Sequence, residues 1–378
     1  MTKPNFDLVL NALRTVQDPD LHQDLVTLNM IRDLKVFDDG KVSLRVVLTT
    51  PACPMKEKIK ADVIAAIKTV AGTTDIQVVM DAEVRKGVNQ GTGASANPNG
   101  GNPNARGIPG VAHIIAVSSG KGGVGKSTIS VNLATSLALE GAAVGLLDAD
   151  IYGPNIPTMM GVTENPKLFM DPVKGEMFIP PLSHGVKVMS MGFLIQGDQP
   201  VIWRGPMLHN ILNQFCTKVD WGTLDYLILD LPPGTGDVQL SLAQMIPLTG
   251  TVVVTTPQEV ALQDVRKALN MWEKVKVPVI GVVENMSYFI GDDQKKYFIF
   301  GSGGGEMLAK KFNTKLLAQN PLLPAVREGG DEGKPIVIKD PASESAIALR
   351  EVARKVAQEV AILDAKVANA PSLEIGQF

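Results

Sequence analysis

The stretch Gly120-Lys121-Gly122-Gly123-Val124-Gly125-Lys126-Ser127-Thr128 decides the fold. It follows the apolar run Ile114-Ile115-Ala116-Val117, which reads as a buried strand. It precedes Ile129 to Leu139, where apolar and small residues recur at helical spacing. Strand, glycine-rich loop and helix together are the context a phosphate-binding loop requires, and Gly120, Gly125, Lys126 and Ser127 meet its spacing. Glycines let backbone N–H groups curl around a phosphate, and a helix N-terminus adds favourable dipole charge. Lys126 would reach the β- and γ-phosphates of a nucleotide, and the Ser127 hydroxyl would hold Mg²⁺.

Bulk properties bound what surrounds this loop. At 378 residues, two domains are the natural expectation. A net charge of −3 gives no basic field for nucleic acid. The N-terminus carries no apolar signal region, no apolar run is long enough to span a bilayer, and the two cysteines, Cys53 and Cys216, suggest no disulfide framework. A cytoplasmic protein without stable membrane association is expected.

Residues 1–86 read as a small α+β unit: a helix over Phe6 to Val16, a hairpin from Ile31–Phe37 through Asp38-Asp39-Gly40 to Lys41–Leu48, a helix over Met55 to Val70, and a strand over Ile76 to Met80. Cys53 sits before that second helix, where the dipole favours a thiolate able to ligate metal; a buried, inert thiol is the equal alternative. His22 and Asp24 are candidates to assist it. Residues 87–110, rich in Gly, Asn and Pro, read as a flexible linker. From Val111 to about residue 368 strands and helices alternate, which predicts a mainly parallel, doubly wound sheet; strands are expected at His113–Ser118, Ala143–Leu147, Leu224–Asp230, Gly250–Thr255, Val279–Val283 and Leu316–Ala318. The last helix, about Ser343–Val367, is expected to pack through Ile347, Val352, Val356, Val360 and Leu363, and residues 369–378 form a tail.

Three carboxylates stand at predicted strand ends or just beyond them. Asp148 and Asp150 follow Ala143–Leu147, and Asp230 closes an apolar strand ahead of Leu231-Pro232-Pro233-Gly234-Thr235-Gly236-Asp237. Beside a phosphate-binding loop, such carboxylates hold Mg²⁺ through water or orient the attacking water. Asn285, after the strand Val279–Val283, carries a donor and an acceptor that suit an adenine edge, and Asn320-Pro321-Leu322-Leu323-Pro324 supplies a rigid loop to flank the base. Gly301-Ser302-Gly303-Gly304-Gly305 reads as a loop-to-helix connection with a lesser claim as an anion nest. The methionines Met159, Met160, Met189 and Met191 suit core packing. Arg350, Arg354 and Lys355 make a weak basic face on the last helix.

These segments resemble known families. Lys121 turns the loop into Lys-Gly-Gly-Val-Gly-Lys-Ser, which resembles the deviant Walker A of the MinD/ParA/nitrogenase iron-protein class. The resemblance implies a P-loop NTPase in which Lys121 contacts the phosphate of a partner subunit's ATP, Asp150 in switch I positions water, Asp148 supports the metal shell and Asp230 is the Walker B residue. The segments Asp150-Ile151-Tyr152-Gly153-Pro154-Asn155-Ile156-Pro157, Trp203-Arg204-Gly205-Pro206-Met207, Leu229–Asp237 and Glu284-Asn285-Met286-Ser287 look like the Mrp/ApbC family of iron–sulfur cluster carriers. Asp18-Pro19-Asp20 and Thr49–Pro54 resemble the PaaD-like (SufT-like) domain of iron–sulfur assembly proteins. Together they imply a homodimer that binds ATP and Mg²⁺, hydrolyses ATP slowly and passes an iron–sulfur cluster to apoproteins, alongside assembly factors.

Two departures stand out. The PaaD-like glycines after Asp-Pro are replaced by Leu21-His22-Gln23-Asp24 and Leu28-Asn29-Met30. The Cys-x-x-Cys that usually follows Asn-Met-Ser is missing, with Tyr288-Phe289-Ile290 and Gly291–Lys296 in its place. Three outcomes stay open: a cluster on Cys53 of each subunit with further ligands, a contribution from Cys216, or a MinD/ParA-like switch or scaffold that holds no cluster. A nitrogenase-like reductase is set aside because switch II has no cysteine.

Overall fold

The computed structural model describes residues 4–84, 107–151, 153–194 and 205–368. The expected linker core, Tyr152, Trp203, Arg204 and the tail lie outside them. By internal contacts the chain divides into residues 1–85 with 357–378, and residues 86–356.

The first unit comprises α1 (Phe6–Leu13), β1 (Ile31–Val36), β2 (Lys41–Leu48), α2 (Lys56–Lys68) and β3 (Asp75–Ala82). Asn5 caps α1 by accepting from the Asp7 N–H at 2.9 Å. The hairpin β1–β2 is antiparallel and β3 joins β2 in parallel, giving the order β1-β2-β3. Val9 and Leu13 from α1, Ile59, Val63 and Ile67 from α2, and Val42, Leu44 and Val46 from β2 form its core. The glycine substitutions noted above have a visible solution. His22 and Asn29 take φ of 53° and 57°, the left-handed region a glycine would occupy. The loop is locked by Asp18, which accepts from the Asp20 and Leu21 N–H groups, and by Asp24, which accepts from those of Val26 and Thr27.

The second unit is built in the order β4 (Val111–Ser119), α3 (Lys126–Leu139), β5 (Val144–Asp148), α4 (Ile156–Met159), β6 (Lys167–Asp171), β7 (Gly175–Ile179), β8 (Leu182–Ser183), β9 (Val186–Ser190), α5 (Gly205–Thr217), β10 (Leu224–Asp230), α6 (Asp237–Met245), β11 (Gly250–Thr255), α7 (Glu259–Lys274), β12 (Val279–Glu284), β13 (Phe289–Ile290), β14 (Lys296–Tyr297), α8 (Gly304–Lys311), β15 (Leu316–Gln319), α9 (Pro324–Asp331), α10 (Ile336–Lys339) and the first half of α11 (Glu344–Ala368), whose residues from 357 on belong to the first unit. Eight strands form one sheet in the order β15-β12-β11-β4-β10-β5-β9-β8, parallel except where β8 meets β9. The central strands are buried on both faces, as continuous Val/Ile/Leu runs require: Ile114, Ile115, Ala116 and Val117 are fully covered. The chain is thus an α/β P-loop fold preceded by a small α+β unit.

Several expectations are corrected here. The methionine-rich stretch begins inside a sheet strand, β9, that was not anticipated; Met189 of β9 and Met191 just after it lie in the core, as expected. The β6–β7 hairpin and the short helices α9 and α10 were not anticipated. In α11, Val352, Val356 and Val360 are buried as expected, whereas Ile347 is exposed and Ala346, Leu349 and Ala353 complete the buried stripe. The basic face of α11 is turned to the fold: Arg354 pairs with Glu140 at 2.9 Å and Lys355 donates to the Leu317 carbonyl at 2.8 Å.

Gly120, where β4 ends, is pressed against α7. A Cβ there would stand 2.4 Å from both the Asp264 carbonyl carbon and the Val265 nitrogen. Gly120→Ala should therefore cost about 1–3 kcal/mol, read as a lowered urea midpoint at unchanged slope; an unchanged midpoint would refute this packing.

Candidate functional site

The parallel sheet brings the C-terminal ends of β4, β5 and β10 side by side, with Asp230 paired to Val117 on one side and to Asp148 on the other. The loop after β4 lies over this edge, and its last residue, Gly125, caps α3 with φ of 84°. The sequence motif therefore sits where open α/β sheets bind ligands.

Asp230 is the centre of the site. It is fully buried, and three donors converge on it: Lys126 Nζ at 2.7 Å and Ser127 Oγ at 2.6 Å on Oδ2, and Ser130 Oγ at 2.5 Å on Oδ1. Lys126 Nζ also lies 3.4 Å from Asp150 Oδ2. Lys126, Ser127, Asp150 and Asp230, far apart in sequence, are thus gathered within one cluster. Ser130, one turn into α3, is a partner that the loop spacing did not flag.

Asp148 stands behind this cluster. Its carboxylate accepts from the Asp150 N–H at 3.1 Å, the Ile156 N–H at 3.3 Å and Ser190 Oγ at 2.8 Å. It therefore shapes the loop that carries Asp150. Burial and the neighbouring Asp230 carboxylate push its pKa up to about 8, against the Ser190 and Asp150 donors and the Lys126 charge. Lys121 is different: its ammonium makes no hydrogen bond or ion pair among the described residues, and only its carbonyl is engaged, by Ser119 Oγ at 3.0 Å. After Asp230 the chain is tied to β4 through the Leu231 and Gly234 N–H groups, which donate to Val117 and Ser119. The buried Gln239 donates to the Pro232 carbonyl at 2.7 Å.

The Asn285 amide, expected to meet a base edge, is engaged within the fold. Its Nδ2 donates to the Val124 carbonyl at 2.8 Å, and its Oδ1 accepts from Asn320 Nδ2 at 2.7 Å. Asn320 is likewise turned inward, and Pro324 opens α9 rather than extending a base-flanking loop. Glu284, which sequence reasoning passed over, is a fully buried carboxylate. It accepts from Ser287 Oγ at 2.5 Å, the Gly305 N–H at 2.6 Å and Gln319 Nε2 at 3.1 Å. The Gly301–Gly305 segment is a loop-to-helix connection, and of its N–H groups that of Gly305 donates to Glu284.

The cysteines fall elsewhere. Cys216 is buried in the core of the second unit, and burial pushes its thiol up to about 12. A free thiolate is disfavoured there. Cys53 precedes α2 by three residues, and the expected thiolate is not favoured: burial, with the Asp20 and Asp18 carboxylates, pushes it up to about 11 despite a backbone hydrogen bond at Met55. The acidic neighbours that bear on it are Asp18 and Asp20, not His22 and Asp24. Among the described residues no group of three or more His, Cys, Asp or Glu side chains could hold a metal ion.

Sheet order, loop and carboxylates together define a P-loop NTPase. Comparison with known proteins narrows this. The family of NUBPL iron-transfer P-loop NTPases matches residues 110–357, and a family of iron–sulfur cluster assembly proteins matches residues 7–79. The chain is 51% identical over 358 residues to an iron–sulfur cluster carrier protein of Synechocystis sp., covering 94% of this chain and 98% of that one. A carrier of the same description from Deinococcus radiodurans is 47% identical over 362 residues, covering 94% and 96%. A solved nucleotide-binding protein from Archaeoglobus fulgidus, in complex with ADP, superimposes with a TM-score of 0.53 at 37% identity, covering 60% of this chain and 88% of that one. The chain belongs to the NUBPL-type iron-transfer P-loop NTPases.

The two thiols make a direct check. In the native protein, iodoacetamide should modify Cys53 slowly at pH 7, with a rate that climbs through pH 9–10 without a plateau; Cys216 should react only after unfolding. A plateau near pH 8 at Cys53 would show a thiolate that this environment does not favour.

Proposed function

We propose that this protein binds and slowly hydrolyses ATP as a homodimer in the cytoplasm, and couples that cycle to carrying an iron–sulfur cluster to apoproteins. One observation carries the ATPase part: Lys126, Ser127 and Ser130 converge on the buried Asp230, with Asp150 beside Lys126. The carrier part is supported by the family and by relatives of nearly the same length.

The residues divide the work. Backbone N–H groups of Gly120 to Thr128 cradle the phosphates, and Lys126 exchanges its contact with Asp230 for the β- and γ-phosphates. The Ser127 hydroxyl is a hard oxygen donor that suits Mg²⁺, and the Asp230 carboxylate, 2.6 Å from it, would hold the ion through water. Bound there, Mg²⁺ would supply charge neutralisation to the phosphate oxygens. Asp150, held through its own N–H by Asp148, orients the attacking water. Lys121, whose ammonium has no partner among the described residues, reaches the phosphate of the partner subunit's ATP. Leu231 to Gly236, tied to β4, respond to the γ-phosphate and relay hydrolysis to the carrier surface.

The cysteine inventory favours a second reading. The sequence has two cysteines, Cys216 buried in the core and Cys53 part-buried, so each chain offers one readily reached thiol to a cluster. The protein would then be an ATP-driven dimeric switch or scaffold for other assembly factors, without a cluster of its own.

Lys126→Ala should abolish nucleotide binding in calorimetric titration, and Asp150→Ala should bind ATP but lower its turnover by about 10²-fold or more. Normal turnover in Asp150→Ala would overturn its assignment. Anaerobic reconstitution with iron and sulfide decides between the two readings. The carrier predicts a protein-bound chromophore that Cys53→Ala weakens, whereas clean dimer without chromophore leaves the scaffold.

A further inference from the structure

Three side chains and one backbone carbonyl form a buried chain of hydrogen bonds that starts at α11 and ends on the phosphate loop. Ser345 Oγ donates to Asn320 Oδ1 at 2.7 Å, Asn320 Nδ2 donates to Asn285 Oδ1 at 2.7 Å, and Asn285 Nδ2 donates to the Val124 carbonyl at 2.8 Å. Ser345, Asn320 and Asn285 are 0%, 1% and 4% exposed, so water cannot substitute for any of these contacts.

The direction of the chain is fixed by chemistry at its end. The Val124 carbonyl can only accept, so the Asn285 atom facing it must be nitrogen. The Asn285 oxygen then faces Asn320, which must present nitrogen in turn, leaving the Asn320 oxygen for the Ser345 hydroxyl. Every donor points toward the loop, an arrangement in which each bond strengthens the next. The loop has closed around this contact. Gly125 holds φ of 84°, and a Cβ there would fall 2.1 Å from Asn285 Nδ2.

We propose that Asn320 and Ser345 are positioning residues of the nucleotide site: by fixing the orientation of the Asn285 amide they hold the Val124–Gly125 turn in its phosphate-cradling conformation. Neither residue belongs to the loop or to the carboxylate cluster. The inference rests on the reading of Gly120–Thr128 as the ATP cradle. Loss of the Ser345 hydroxyl leaves the Asn320 amide without its anchor, and the amide of Asn285 then loses its preferred orientation. Asn320→Asp is harsher, because a carboxylate offers Asn285 no donor. The Asn285 amide must turn, which sets its oxygen against the Val124 carbonyl.

The test is calorimetric titration of Mg·ADP into the full chain, with thermal unfolding of each variant measured without nucleotide. Relative to wild type, Ser345→Ala should weaken ADP about three- to tenfold and Asn320→Asp more than tenfold, in line with one or more lost buried hydrogen bonds. Ser345→Ala should have no further effect on ADP in an Asn285→Ala background, although the two side chains share no hydrogen bond. Asn320→Asp tests the chain only if it folds; Ser345→Ala and the double variant carry the test without it. ADP affinity unchanged in Ser345→Ala with a lowered melting temperature, or effects that add in the double variant, would overturn the positioning role and leave the ATP cradle intact. A wild-type chain that binds no Mg·ADP would overturn the cradle and this inference together.

Discussion

The structure depends on a buried carboxylate that must never be left alone. Asp230 ends a strand in the middle of the sheet, out of reach of water. An isolated charge there would be costly, and removing one member of a buried pair costs about 3–5 kcal/mol. Lys126, Ser127 and Ser130 meet that need, and all three lie on the first turns of α3. The same bonds therefore fix α3 to β10, and fix the loop between β4 and α3 over the sheet edge. A phosphate arriving at the loop competes with Asp230 for Lys126, so the contact that holds the site together is also the one that ligand binding must rearrange.

A second buried carboxylate does similar work on the other side of the loop. Glu284 anchors the ends of β12, β15 and α8 through Ser287, Gln319 and the Gly305 N–H. That rigid corner presents Asn285 to Val124. The phosphate loop is thus held from two directions, by a charged cluster at Asp230 and by a neutral amide chain at Asn285. This explains why the flexible residue types at Gly123 and Gly125 coexist with one loop conformation: the glycines allow the turn, and the neighbouring strands impose it.

The sheet and its loop were legible because they are written in local pattern. Apolar runs ended in Asp148 and Asp230, and Gly120 to Ser127 carried a spacing with a mechanism behind it. What was not legible depends on partners distant in sequence. Asn285 was read by its amide chemistry and assigned to a base, because nothing near it in sequence shows that Val124, 161 positions away, claims its nitrogen. Glu284 stood only within a family motif, and the glycines at 301–305 looked like a plain connection; only the fold shows that Gly305 donates to Glu284. Ser130 escaped notice because a small hydroxyl in a helix has no signature of its own. For Cys53 two readings stood level in the sequence: a helix dipole argues for thiolate, and burial with two nearby aspartates tips the balance toward the protonated thiol. β9 was missed because its sequence, Val186–Ser190, is short and joined to a methionine-rich segment.

The central claim is that Asp230 and bound phosphate share Lys126. A crystal structure of the protein with a non-hydrolysable ATP analogue and Mg²⁺ tests it most directly. The account predicts that Lys126 Nζ leaves its 2.7 Å contact with Asp230 Oδ2 for the β- and γ-phosphate oxygens, while Ser130 stays on Asp230 and Asn285 stays on Val124. A nucleotide bound with Lys126 still paired to Asp230, or bound away from Gly120–Thr128, would contradict it.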